Sequence, residues 1–293
     1  MRPLWGKIDM YAFVHIEKTA GTTLTSILRR SYGARHCDVR LPVAKRHRGK
    51  GRTDQHELID VDDLRRVRRI YRNLSGIAGH HVKAFSNLEL ECAEIRYFAF
   101  LRDPAKRYRS HFLTRAPSHD AADFDAWVSA SWTHNWQTKM IAGQACAQKA
   151  IDMLAARFGF IGLTERFDES LLMMGQWIGE PGFKPEYRSL NQHYDNRGFR
   201  DAVQREGQRD IGYLDSASAR ERIAAANVED RKVYEFVLAN IYPRQCANYR
   251  GELEVEVREF QARNLGIRLQ AESRWSGFLR NYIYKPAIHL RAA

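Results

Sequence analysis

Residues 11–24 read YAFVHIEKTAGTTL, and the change of character around Gly21 decides the fold. Residues 11–16 (YAFVHI) form a short apolar, β-prone run, the signature of a strand. Beyond Gly21, Leu24, Ile27 and Leu28 fall on one face of a helix predicted over 22–32. Strand, tight loop and helix in that order open an α/β unit. Downstream the same alternation returns. Residues 61–71 keep helical spacing through Leu64, Val67 and Ile70, with Asp62 and Asp63 at the positive end. Residues 77–82 and 96–101 read as strands, and the second (RYFAFL) suits a buried sheet position. Asp103 and Pro104 start a further helix as cap and first-turn residue. Helices are then expected at 124–140, 146–158, 167–178, 217–240 and 243–265, with a strand at 159–163.

Strands alternating with helices predict a central parallel sheet flanked by helices, with a ligand at the strands' carboxyl ends. No internal repeat or Gly/Ser linker interrupts the chain. The expected division is one domain over 1–250 and a helical C-terminal extension over 251–293.

The turn between the first strand and helix has the makings of an anion site. Gly21 allows a sharp turn, Ala20 allows close approach, and Thr22 and Thr23 offer hydroxyls where the helix begins. Unpaired backbone N–H groups and the positive helix end face the same space, and Lys18 adds a charge. An ATP-binding loop would read G-x-x-x-x-G-K-[ST]. Here the lysine precedes the glycine and the first glycine is missing. An ordinary strand-to-helix turn with polar residues is the plainer alternative.

A second constellation lies at residues 98–112, FAFLRDPAKRYRSHF. Arg102 ends a strand and Ser110 follows about two helical turns later. A guanidinium fork and a hydroxyl so spaced can converge on one phosphate. Between the two segments, residues 77–85 (IAGHHVKAF) put His80 and His81 at a strand end. A histidine can take a proton at neutral pH. Side chains alternate along a strand, so one of the pair is expected to face the cleft and the other to face away.

HIEKTAGTTL and R-D-P-x-x-R-x-x-S, in this order, resemble the 5′-phosphosulfate and 3′-phosphate motifs of the carbohydrate sulfotransferase family. That family is Golgi-type and heparan sulfate 2-O-sulfotransferase-like, and it uses 3′-phosphoadenosine 5′-phosphosulfate (PAPS). The resemblance covers about residues 11–180, and it implies a P-loop-like α/β fold. It implies that Lys18 contacts the bridging oxygen of the donor, and that Thr19, Ala20, Gly21, Thr22 and Thr23 hold the 5′-phosphate. Arg102 and Ser110 would bind the 3′-phosphate. The family often carries Gly-His at the histidine segment, which selects His80 as base; register on Val82 would select His81. Glu17 stands where proline is commoner. The implied reaction moves a sulfuryl group to a hydroxyl of a polysaccharide or oligosaccharide, without a metal.

Composition narrows the partners. A net charge of +12 calls for an acidic one. No nucleic-acid motif accompanies it. Four well-separated cysteines without a C-x-x-C pair suit reduced thiols. Residues 1–10 carry no signal-peptide pattern, and no run of about 18 apolar residues occurs. The expectation is therefore a bacterial, cytoplasmic enzyme, with peripheral membrane contact open to the 275–291 tail. That tail could also lie on a partner, or equally pack back on the domain. Residues 134–143 (HNWQTKMIAG) place Asn135, Gln137 and Lys139 as acceptor or cofactor contacts, or on the polar face of a helix. Thr164 and Glu165 read as strand-end residues near the cleft. The basic loop 45–52 and the Arg65, Arg66, Arg68, Arg69, Arg72 stripe could grip a polyanion or simply be solvated. Two rival functions remain: an ATP-dependent phosphotransferase with a degenerate loop, and a non-catalytic polyanion-binding protein.

Overall fold

The computed structural model describes residues 10–42, 57–90, 95–116, 118, 120–187, 212–265 and 272–289. The basic loop 45–52 lies outside them. Five strands, β1 (Met10–Val14), β2 (His36–Asp38), β3 (Gly76–Gly79), β4 (Ile95–Leu101) and β5 (Phe158–Leu163), form one sheet ordered β2-β3-β1-β4-β5. All four pairings are parallel. The chain fills one side of β1 first and then crosses to the other. The carboxyl end of β1 is thus a switch point, where open α/β sheets bind ligands.

Every residue of β1 is buried, and so is every residue of β4 except Arg96. Both faces must therefore be covered by helices, as parallel sheets require. Phe13 stacks on Phe98 across the β1–β4 pair at 4.9 Å, and Trp177 meets Phe98 edge-on at 5.6 Å. Trp177 belongs to α7 (Phe167–Ile178), which lays Leu171, Met174 and Ile178 on the sheet. Burying each such large apolar side chain stabilises the fold by about 1.5–3 kcal/mol.

Capping explains where helices begin. Asp60 and Asp63 form a reciprocal box at the start of α2 (Val61–Ile70). Asp103 accepts from the Lys106 N–H at 3.0 Å, with Pro104 as first residue of α3 (Pro104–Arg115). Helix α1 (Gly21–Tyr32) differs: Ala20 precedes it in the left-handed region and no side chain caps it.

Several expected elements are divided. The helix expected over 124–140 is two, α4 (Ala121–Ser129) and α5 (Trp136–Ala142). Between them Thr133 bonds back to the Trp127 and Ala130 carbonyls, and Asn135 takes a left-handed conformation that asparagine tolerates. After α6 (Ala147–Arg157), the helix expected over 217–240 breaks at Asn227 into α8 (Ala217–Ala226) and α9 (Val228–Phe236). A π-helical turn, Val237–Ile241, carries α9 into α10 (Tyr242–Ala247). The helix expected over 243–265 is broken before α11 (Leu253–Leu265), where Gly251 has φ +136°. β2, three residues long, carries too little pattern to be read from sequence.

α11 buries Phe260 in the main core. The final segment, α12 (Arg274–Phe278), a π-helical stretch (Leu279–Tyr284) and α13 (Lys285–His289), buries Leu279 and Tyr284 there too. The Tyr284 hydroxyl accepts from the Arg40 N–H at 3.0 Å, and its ring meets Tyr71 edge-on. One side of the tail therefore packs back on the domain. Cys37, Cys146 and Cys246 are free thiols, and Cys92 lies outside the described residues. No helix among the described residues is long and apolar enough to cross a membrane.

Candidate functional site

The β1–α1 loop is held in an unusual backbone conformation. Lys18 and Ala20 have φ of 70° and 62°, a region that costs non-glycine residues about 1–3 kcal/mol. Thr19 is fully buried and its hydroxyl donates to the Ile16 carbonyl at 2.9 Å, which fastens the loop from inside. Gly21 is required by contact: a Cβ there would lie 2.0 Å from the His15 ring. The N–H groups of Gly21, Thr22 and Thr23 have no intrahelical acceptor and no side-chain cap. They face the end of a twelve-residue helix. Of Thr19, Thr22 and Thr23 only Thr22 is exposed, and it lines the adjoining cleft with Thr25. Thr19 and Thr23 can serve an anion through the backbone alone.

The second motif meets the first. Arg102 leaves β4 beside β1, and its Nη1 donates to the Lys18 carbonyl at 3.2 Å. Neither Lys18 nor Arg102 forms an ion pair with a described residue. Burial, and then the charge of Arg102, pulls the Lys18 ammonium below its ordinary range. Two half-buried cations are thus held together beside an uncapped helix end, an arrangement that favours an anion. Ser110 is half-buried on α3, and its hydroxyl bonds no other described residue. The motif's other arginine, Arg107, is fully buried; Nη1 meets His111 Nδ1 at 3.2 Å, while Nε and Nη2 have no partner.

His80 and His81 stand just beyond β3, which ends at Gly79, so strand alternation does not separate them. Both line one cleft of about 480 Å³, with His15, Thr22, Arg29, Asp38 and Arg40. Their partners differ. His80 stacks on His15 at 4.0 Å, and its Nδ1 lies 2.9 Å from the His15 carbonyl. A carbonyl only accepts, so Nδ1 is the donor, and in a neutral ring the lone pair is then on Nε2. His81 instead donates from Nδ1 to the Glu57 carbonyl at 3.0 Å, and burial lowers its pKa. Gly79 lets this turn approach β2: a Cβ there would meet the Val39 carbonyl at 2.8 Å.

A supporting layer holds these loops, and most of it is invisible in the sequence. Glu17 accepts from Arg115 of α3 at 2.9 Å and sits 3.5 Å from His111 Nε2. It ties the β1–α1 loop to α3, a role that its motif position does not announce. Burial, then Arg107, Arg115 and Lys18, hold His111 at about 2, so it is neutral.

Gln137 is 1% exposed and clamps Arg102, accepting from its N–H and donating to its carbonyl, both at 2.9 Å. Asn135 accepts from the Glu229 N–H at 2.9 Å, and Asp230 accepts from Gln137 N–H and Thr138 N–H. α5 and α9 therefore cap each other. Lys139 reaches the Ser131 carbonyl at 2.8 Å. The 134–143 segment braces Arg102 through Gln137 and turns most of its residues inward instead of presenting a polar outer face.

Thr164 donates to the Leu101 carbonyl, and Glu165 accepts from the Asp103 N–H and the Tyr234 hydroxyl. They pin the β4–α3 turn. The described residues include no cluster of His, Cys, Asp and Glu suited to a metal ion.

The fold and site define an α/β protein that sets two half-buried cations, Lys18 and Arg102, beside the uncapped start of α1 at the carboxyl edge of its sheet. Compared with known proteins, the chain matches no protein-family model and has no match among curated proteins.

Proposed function

We propose that this chain transfers a sulfuryl group from PAPS to an acceptor hydroxyl, most fittingly on a glycan. The observation that carries the reading is the contact between Arg102 and the Lys18 carbonyl. It joins two cations that form no ion pair with a described residue beside an uncapped helix end, the charge distribution that a donor with phosphates on the 3′ and 5′ positions of one ribose needs.

In this reading the donor's sulfur–oxygen bond to the 5′-phosphate breaks as the acceptor oxygen bonds to sulfur. His80 Nε2 takes the hydroxyl proton, while its Nδ1 stays anchored on the His15 carbonyl. Lys18 and the N–H groups of Gly21, Thr22 and Thr23 offset negative charge growing on the departing phosphate oxygen. Ala20 allows the close approach. Arg102 and Ser110 hold the 3′-phosphate, a group that ATP lacks, and Gln137 fixes the Arg102 backbone for it.

The lysine's place before Gly21 favours this reading over an ATP-dependent phosphotransferase. Transfer of label from sulfur-labelled PAPS to glycan fractions tests it. Wild type should label a fraction, and His80→Ala should be about 10²–10⁴-fold slower with the bisphosphate product still bound. Near-native turnover by His80→Ala would remove His80 from the reaction.

A further inference from the structure

The tail that closes the fold leaves a second surface unexplained. Leu279 and Tyr284 face the core, but Trp275, Phe278 and Tyr282 are 60%, 46% and 72% exposed, and Ile283 is exposed beside them. The three rings form a column: Trp275 on Phe278 at 5.7 Å and 21°, Phe278 on Tyr282 at 5.3 Å and 27°. Such a column stands apart from the cleft chemistry, with its rings exposed at the surface. Aromatic side chains left in water this way mark a surface that something covers.

Charge says what kind. Arg274 and Lys285 flank the column in sequence, and Arg40 joins the tail through its backbone bond to Tyr284. None of the three forms an ion pair with a described residue. Lys285 is pulled below the ordinary lysine range by burial, then by the charges of Arg40, Arg280 and Arg29. The adjoining helix α2, whose neighbour Tyr71 packs on Tyr284, lines a shallow depression of about 620 Å³ with Arg65, Arg68, Arg69 and Arg72.

We infer that residues 274–285 dock this protein on an anionic lipid surface, with the Trp275–Phe278–Tyr282 column seated at the headgroup level. Tryptophan and tyrosine prefer that layer, because each joins an apolar ring to a polar handle. A helix lying in the interface needs an apolar ridge with cations beside it, and no membrane-spanning length. Two other occupants fit less well. A sugar stacks on an open ring face, whereas Phe278 has a ring stacked on either side. A second copy would bring the same cations face to face. The inference goes beyond sulfuryl transfer and stands whether or not that reading holds.

Co-sedimentation of the full chain with vesicles tests it. One set is phosphatidylcholine alone, the other phosphatidylcholine with roughly one-third phosphatidylglycerol. Wild type should bind the anionic set and not the neutral one. Changing Trp275, Phe278 and Tyr282 together to serine should weaken binding at least about tenfold, and Arg274→Glu about fivefold or more.

Brominated lipid gives a readout that survives any folding defect of the triple variant. Vesicle-dependent quenching, taken as wild type minus Trp275→Phe, should be large. Equal or absent binding to both vesicle sets, unchanged binding by the triple variant, or no quenching of Trp275 would overturn the inference. So would finding that the triple substitution abolishes self-association or dextran sulfate binding while leaving vesicle binding intact.

Discussion

Gly21→Ala is the most informative single change, because its clash falls on the ring that orients His80. The new methyl would lie 2.0 Å from His15 Cδ2 and Nε2 and 2.9 Å from Cε1. Carbon atoms settle at about 3.5–4.0 Å, so the ring must move by roughly 1.5 Å. It has little room: His80 stacks on it at 4.0 Å and Phe13 at 5.4 Å. Overpacking of this kind costs about 1–3 kcal/mol. For a chain of this size, that lowers the melting temperature by about 2–6 °C. A shift of about 1 Å in the proposed base slows turnover on the order of a hundredfold.

Thermal melting and labelled-donor turnover would read both effects. His15→Ala supplies the control: if the ring is the obstacle, adding it to Gly21→Ala should restore part of the lost stability. The reasoning fails if Gly21→Ala melts like wild type, or if its loss is the same with and without the His15 ring.

Gln137→Ala should strand the Arg102 N–H and carbonyl, costing about 2–4 kcal/mol, and should weaken binding of the 3′-phosphorylated nucleotide. Unaltered melting and affinity would count against the clamp. For Asp38, burial raises the carboxyl, but the His36 hydrogen bond and charge and the Arg29 guanidinium outweigh it and hold it at about 2. A depressed carboxyl stabilises the fold fully above the ordinary 3.8, and that contribution fades as pH falls towards 2. Asp38→Asn should therefore cost about 2 kcal/mol at neutral pH and remove that acid-dependent part of unfolding, measured by denaturant melts across pH 2–5. Lys18 is pulled down by burial and by Arg102, so donor affinity should fall as pH rises, with a midpoint below the ordinary 10.5. Lys18→Arg should flatten that decline over the same titration.

The sequence carried the fold because its decisive features are local. An apolar β1 and β4, a glycine at the first turn and Asp103-Pro104 at the next helix are readable from neighbours along the chain. The break at Asn135 was not, since that residue acts through partners far away, capping residues 94 and 95 positions on; Asn227 bonds only to residues close in sequence, Ile223, Ala224 and Arg231. The same limit applies at the site. Lys18, Gly21 and Arg102 announce themselves by type and spacing. Glu17 does not, because its partners His111 and Arg115 are joined to it only by folding. His80 and His81 misled the alternation rule for a simple reason: the strand stops at Gly79, before either of them. The tail's two faces also needed three dimensions, since nothing in residues 275–284 says which aromatics meet Tyr71 and which meet water.

Calorimetric titration of the purified chain with adenosine 3′,5′-bisphosphate, 5′-AMP and ATP addresses the central claim most directly. If Lys18 and Arg102 grip the 5′- and 3′-phosphates of one nucleotide, the bisphosphate should bind at least about a hundredfold tighter than either other ligand, roughly 3 kcal/mol. Arg102→Ala should erase that preference while sparing 5′-AMP. Equal affinities for the three, or tightest binding to ATP, would contradict it.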